Sequence, residues 1–210
     1  MRPLPRLHAV TDARILGRED LAIRAAALAA AGPAVALHVR DRARPGRALA
    51  QVTDRLQRLA APPGATVVVN ARPDVAAALG AEGVQLARGD LSPRDVRAHL
   101  GAWPGWIGVS VHGVDEARAA IDEGADLVVV GTIYPSASHP GRPGAGPALI
   151  EQVSRLGCPV IAIGGVTAER CRELRDAGAH GVAAITALWD APHPYQAARA
   201  LLAPWADDPA

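Results

Sequence analysis

Eight short apolar runs, each followed by an Ala/Leu/Arg-rich helical stretch, divide this chain into strand–helix units along its whole length. The predicted strands are Leu7–Val10, Ala34–Val39, Thr66–Val69, Gly83–Leu86, Trp106–Ser110, Asp126–Val130, Pro159–Ile163 and Gly181–Ala184. The predicted helices are Asp20–Ala31, Gly46–Ala60, Arg72–Leu79, Pro93–Leu100, Val114–Glu123, Ala148–Arg155, Ala168–Ala177 and Pro194–Leu202. The runs are continuously apolar rather than alternating, the pattern of strands buried on both faces of a parallel sheet. Ser92-Pro93 and Thr167 read as helix starts, and Gly124 and Gly178 as helix stops before the next strand. An open doubly wound sheet is the alternative. Eight units favour closure into an α/β fold, a single (β/α)8 TIM barrel forming one domain over residues 1–210.

The last two strand ends carry the most chemical information. Ile161-Ala162-Ile163-Gly164-Gly165 and Gly181-Val182-Ala183-Ala184-Ile185 are apolar runs that stop abruptly. Gly164 and Gly165 permit positive φ and close approach of a ligand to the backbone. In a (β/α)8 barrel the seventh and eighth loops bind substrate phosphate, which makes Gly164, Gly165, Ala184 and Ile185 the expected phosphate cradle. The same rule puts the remaining chemistry at strand C-termini. Thr11 and Asp12, Arg40 and Arg42, Asn70, Gln85 and Asp90, and Ser110 and His112 follow the first five strands in order. The sixth strand delivers Gly131 and a Gly/Pro/Ser-rich loop, Thr132–Gly146, long enough to be read as a lid.

Composition narrows the classes. The formal net charge of +1 gives no support to nucleic-acid or acidic-membrane binding. No run reaches the ~18 apolar residues of a membrane helix, and Met1-Arg2-Pro3-Leu4-Pro5 lacks a signal-peptide core, so the expected location is cytoplasmic. Cys158 and Cys171 form no disulfide or zinc spacing and read as buried free thiols. The chain contains no lysine, which excludes Schiff-base chemistry. No metal site is expected from spacing, and assembly as a homo-oligomer remains open.

Taken in order, the strand-end motifs resemble the thiamine-phosphate-synthase/TenI superfamily over nearly the whole chain. They are Leu7-His8-Ala9-Val10-Thr11-Asp12, His38-Val39-Arg40-Asp41-Arg42, Val68-Val69-Asn70-Ala71-Arg72, Gly108-Val109-Ser110-Val111-His112, Gly131-Thr132-Ile133-Tyr134-Pro135 and Ile163-Gly164-Gly165-Val166. The resemblance implies two branches. Synthases join a pyrimidine diphosphate to a thiazole phosphate with magnesium. Against that branch's pattern, this chain has His38, Arg40 and Arg42 in place of Gln-x-Arg-x-Lys. It also has Ala71 in place of an acid, and Ser136-Ala137-Ser138-His139 in place of Thr-x-Thr-Lys. Asp90 stands where the synthases hold their second acid.

The other branch, the thiazole tautomerase TenI, is similar through Leu7-His8-Ala9, His38-x-Arg40-x-Arg42 and Val84-Gln85-Leu86. It implies a cofactor-free isomerase that aromatises a 2-carboxy-thiazole ethyl phosphate by moving a proton. This is the leading expectation, with His112 as the catalytic shuttle because an imidazole exchanges protons near neutral pH. Arg40 would clamp the carboxylate, or pair with Asp12 instead. Asn70 and Ser110 would orient the substrate, with Gly131 and Gly146 also at the substrate. His8 and His38 read as pocket-shaping or core groups, and His99, His180 and His193 as surface ones. Asp90 reads as a metal ligand, an inherited loop residue or a cap for the helix after Ser92. The four tryptophans read as packing. The alternatives are a magnesium-dependent synthase and a non-catalytic thiazole phosphate-binding protein.

Overall fold

A computed structural model describes residues 3–61, 64–136, 141 and 143–206. Eight parallel strands, β1 (Leu7–Val10), β2 (Val35–Val39), β3 (Thr66–Asn70), β4 (Gly83–Leu86), β5 (Trp106–Val111), β6 (Leu127–Val130), β7 (Val160–Ile163) and β8 (Gly181–Ala184), pair in chain order. β1 also pairs with β8, with Leu7 opposite Val182, and this contact closes the barrel. The helices are α1 (Ala13–Leu16), α2 (Leu21–Ala29), α3 (Gly46–Ala60), α4 (Pro73–Ala78), α5 (Pro93–Leu100), α6 (Val114–Asp122), α7 (Pro147–Ser154), α8 (Ala168–Asp176), α9 (Thr186–Trp189) and α10 (Pro194–Leu202). A short 3-10 turn, Ala203–Trp205, follows. Among the described residues no helix is long and apolar enough to cross a membrane.

The expected strands and helices are all present, with ends differing by a residue or two. α1 and α9 are additions: four residues are too few to express a helical period. α1 exists because Asp12 accepts a 2.8 Å hydrogen bond from the Ile15 N–H, an N-cap bond. Ser92 caps α5 as expected, accepting from the Asp95 N–H at 3.2 Å. Thr167 sits in the extended conformation of an N-cap but makes no side-chain bond to α8. Gly124 and Gly178 end their helices with φ of +93° and +95°.

Continuous hydrophobicity in the strands reflects two separate burials. Leu7, Val35, Leu37, Val67, Val84, Ile107, Val128 and Val182 face outward against the helices. Between them Ala36, Val68, Trp106, Leu127, Val129, Ile161 and Ala183 point inward and fill the barrel. The interior alternates large with small. A Cβ on Gly83 would lie 2.4 Å from the Trp106 ring, so the indole occupies space that only glycine leaves. The tryptophans are packing residues: Trp189 is fully buried, and Trp205 donates its indole N–H to the Ala179 carbonyl at 3.2 Å.

This packing predicts that Ile161→Ala lowers unfolding stability by about 2–5 kcal/mol through the cavity it leaves. Gly83→Val should cost at least about 1–3 kcal/mol by overpacking. Urea denaturation measures both, and a Gly83→Val protein as stable as the parent would mean that the Trp106 ring moves aside freely.

Candidate active site

The C-terminal ends of the strands open into one cavity of about 1030 Å³. Its floor is the last inward-pointing layer of the barrel. Asn70, at the end of β3, is set there by the register that pairs it with Gln85. Gln85 donates an amide N–H to Ser110 Oγ at 3.0 Å, and its amide has room because Gly108, opposite it in β5, carries no Cβ. Ser110 Oγ is therefore an acceptor toward Gln85, and its own O–H remains to donate elsewhere.

Below this floor lies a buried pair. His8 and His38, both inward-facing, stand 2.8 Å apart between Nδ1 and Nε2. His8 Nε2 reaches the Pro5 carbonyl at 3.1 Å, and His38 Nδ1 lies 3.0 Å from Asn70 Oδ1. Burial holds both imidazoles below their ordinary range: His38 is pushed down to about 4, and His8, with His38 beside it, also falls well below 6.5. Both rings are accordingly neutral at physiological pH.

The rim is where the charges gather. Thr11 accepts from the Arg40 N–H at 2.9 Å and donates its hydroxyl to the His38 carbonyl at 2.7 Å, stapling β1 to β2 below Arg40. Among the described residues the exposed Arg40 guanidinium has no ion-pair partner, so the expected pairing with Asp12 is not made. Asp12 instead caps α1 while lining the cavity. Arg42 lies 3.4 Å from Asp90, and Arg88 pairs with Glu116. Asp90 does not cap α5. It accepts from the Ala87 N–H at 2.8 Å and so fixes the turn after β4.

His112 follows β5 on the same rim and is exposed. Its backbone N–H donates to Glu116 at 2.8 Å, and its ring Nδ1 faces the Gly131 carbonyl. A carbonyl only accepts, so Nδ1 carries a proton and Nε2 is the ring nitrogen left without this contact.

Gly164, Gly165, Ala184 and Ile185 line the opposite wall. Gly164 and Gly165 have φ of +102° and +60°, the left-handed region. A Cβ on Gly165 would meet the Pro135 carbonyl oxygen at 2.5 Å, so the glycine is also demanded by the loop after β6. No backbone carbonyl among the described residues accepts from the N–H groups of Gly164, Gly165 or Ile185, which suits them to an anion. Gly131 lines the cavity through the carbonyl that holds His112. Gly146 does not line it: its N–H donates to the Ile133 carbonyl and its φ of +76° opens α7, a structural role that corrects its expected contact with substrate.

Arg170, on the first turn of α8, was not among the expected residues. It lines the cavity, donates to the Gly165 carbonyl and lies 4.3 Å over the Tyr134 ring. The glycine pair just upstream was the available signal for it. His180 is half-buried rather than at the surface, bonded to Arg6 and to the Leu4 carbonyl. Residues 137–140 and 142 of the expected Thr132–Gly146 lid, including His139, lie outside the described residues.

The lowered His38 value has a measurable consequence. The unfolded ring protonates near 6.5 and the folded one near 4, so this contribution is intact above pH 6.5 and is lost as pH falls toward 4. The acid-induced loss of stability between pH 7 and 4 should exceed that of a His8→Leu/His38→Leu protein by at least about 3 kcal/mol, the share of His38 alone. Urea midpoints at the two pH values measure the difference, and equal losses would mean the buried pair accepts a proton without cost.

Comparison with known proteins follows from this geometry. The family model described as thiamine monophosphate synthase matches residues 7–188. A thiamine-phosphate synthase of Thermus thermophilus is 39% identical over 178 residues, covering 83% of this chain and 84% of the relative. One of Geobacillus thermodenitrificans is 42% identical over 150 residues, covering 70% and 67%. The solved thiamine phosphate pyrophosphorylase of Pyrococcus furiosus superposes with a TM-score of 0.77 at 28% identity, covering 93% of both chains. These relatives overturn the expectation of an isomerase of the TenI type, since they are named as synthases. The reason is visible in the fold. Leu7, Ala9, Val84 and Leu86 are core packing, and His8 and His38 are sealed beneath the floor, so most of the residues that separated the branches report on packing rather than reaction, while Arg40, Arg42 and Gln85 line the cavity.

Proposed function

The chain belongs to the thiamine monophosphate synthase family, and from that premise we propose that it is a transferase joining a pyrimidine diphosphate to a thiazole phosphate. The observation that carries this reading is a cavity with three arginines, Arg40, Arg42 and Arg88, on one side and the backbone N–H groups of Gly164, Gly165 and Ile185 on the other. A single carboxylate beside a phosphate would need one cation on the arginine side, whereas three suit a diphosphate.

On one side Gly164, Gly165, Ala184 and Ile185 would hold the thiazole phosphate through backbone N–H groups, with Arg170 adding charge beside them. On the other, Arg40, Arg42 and Arg88 would hold the diphosphate, where guanidinium forks suit paired phosphate oxygens. In the reaction the bond from the pyrimidine methylene to the diphosphate oxygen breaks, and its electron pair leaves with pyrophosphate. The thiazole nitrogen supplies the pair for the new carbon–nitrogen bond. The arginines stabilise the charge that grows on the leaving group. Asn70 and Ser110 would orient the rings on the floor, and His112 Nε2 would accept a hydrogen bond at the rim.

Whether magnesium suits these residues turns on the donors. Among the described residues no cluster of three or more His, Cys, Asp or Glu side chains forms a metal cage. Asp90 lines the cavity with its Oδ1 engaged only by Arg42 at 3.4 Å, and Ala71 beside Asn70 supplies no side-chain oxygen. One carboxylate is enough for a magnesium ion carried mainly by substrate phosphates, so the donors fit in that mode, with Asp90 as the holding residue. When bound there, magnesium offsets negative charge on the diphosphate. The small-molecule substrates and soluble chemistry fit a cytoplasmic enzyme of one domain.

Incubation with the aminopyrimidine diphosphate, thiazole phosphate and magnesium should release pyrophosphate only when both substrates are present; absence of release rejects the proposal. Asp90→Asn should raise the magnesium needed for half-maximal rate on the order of ten- to a hundredfold. Ala71 already holds φ of +61°, a conformation in which Asp is better tolerated than Ala, so Ala71→Asp should lower that requirement. Magnesium titrations of initial rate separate these outcomes. Gly165→Val should weaken thiazole phosphate binding roughly tenfold, about 1.4 kcal/mol, by calorimetry. Unaltered affinity would count against the glycine wall as the phosphate site.

A further inference from the structure

The buried histidine pair has one end on a group whose hydrogen-bonding role cannot change, and that end dictates the other. The Pro5 carbonyl accepts and never donates, so His8 Nε2, 3.1 Å away, carries a proton. A neutral His8 then has a bare Nδ1. His38 Nε2, 2.8 Å from it, must donate, which leaves His38 Nδ1 bare as well. That nitrogen lies 3.0 Å from Asn70 Oδ1, which also only accepts. Two acceptors cannot share a contact without a proton between them. The amide oxygen and nitrogen have nearly the same shape and exchange places by a half-turn of the side chain, so the network decides which one faces inward.

We infer that His8 and His38 are positioning residues that turn the Asn70 amide so that its N–H2 donates to His38 Nδ1 and its oxygen faces the cavity. The pocket wall at the end of β3 therefore presents an acceptor and selects a ligand group with an N–H or O–H to give. This polarity is set from below, by His8 and His38, which do not line the cavity.

The one competing arrangement adds a proton to the pair. The proton would sit on His8, which then donates through Nδ1 to a His38 protonated at Nδ1, or on His38 itself; in either case His38 Nδ1 donates and the Asn70 oxygen faces inward. His8 is fully buried and His38 is 1% exposed, with Trp106 edge-on to His8 at 6.0 Å. Among the described residues no carboxylate is hydrogen-bonded to either ring, and His180 is a further basic group that disfavours charge on His8. A lone buried cation is the costlier state. The inference concerns the polarity of the wall and does not depend on which reaction the cavity performs.

Nitrogen-15 NMR of the ring nitrogens, on histidine-labelled whole protein at pH 7, tests it directly. Both His8 and His38 are expected as neutral rings protonated at Nε2. A His38 proton on Nδ1 would put the Asn70 oxygen inward and overturn the inference. Asn70→Asp supplies a second readout, since a carboxylate cannot donate. His38 should then become doubly protonated at pH 7 and contribute two ring N–H signals, whereas a His38 still bare at Nδ1 would refute the coupling. A merely space-filling pair would move neither signal. The parent spectrum decides even if the Asp variant does not fold.

Discussion

In a closed parallel barrel every inward side chain is cut off from bulk water, so a polar group placed there must find its partner among inward neighbours. That requirement organises the upper half of this barrel. The lower half is filled by Trp106, Leu127 and Ile161 and asks for no hydrogen bonds. Above it, His8, His38 and Asn70 form one string, and Gln85 and Ser110 another. Each string runs from a buried anchor to a residue lining the cavity. The floor is therefore rigid and polarised before a ligand arrives, which is the preorganisation an active site needs.

Charge is arranged by a different rule. Exposed guanidinium groups at the rim can move and are worth little to stability, yet they are well suited to meet a phosphorylated ligand. Arg40 and Arg42 follow β2, and Arg88 follows β4, so the two elements bring three cations to one side. The opposite wall presents backbone N–H groups and needs no charged side chain to attract an anion. A chain without lysine thus still lines its cavity with cations, and Asp90 is the carboxylate beside the arginines.

The fold was legible because its cause is local. Eight runs with apolar residues on both faces, separated by helices with glycine stops, admit few solutions, and the strand ends fell where expected. Most of the cavity lining was legible for the same reason: strand C-termini of a barrel share one face, so Arg40, Asn70, Ser110, His112 and the glycine wall could be placed together. Gly146 could not be judged that way. It is a loop-end glycine whose positive φ serves α7, and the need for a turn looks the same in sequence as the need for a ligand. Arg170 escaped notice because one arginine on an arginine-rich helix carries no signal until its distance to Tyr134 is known.

The choice between two reactions went astray at the same boundary between local and non-local information. Leu7-His8-Ala9 and Val84-Gln85-Leu86 were weighed as functional signatures, although most of their side chains are core. By itself, then, the amino-acid sequence determined the barrel, the strand ends that line its cavity and the family, since these follow from periodicity and from motifs taken in order. The tertiary structure alone decided which histidine lines the cavity, His112, and which two are sealed beneath it, His8 and His38. His8, His38 and Asn70 are far apart in the chain, and a hydrogen bond's direction depends on the partner that closure of the barrel brings within 3 Å.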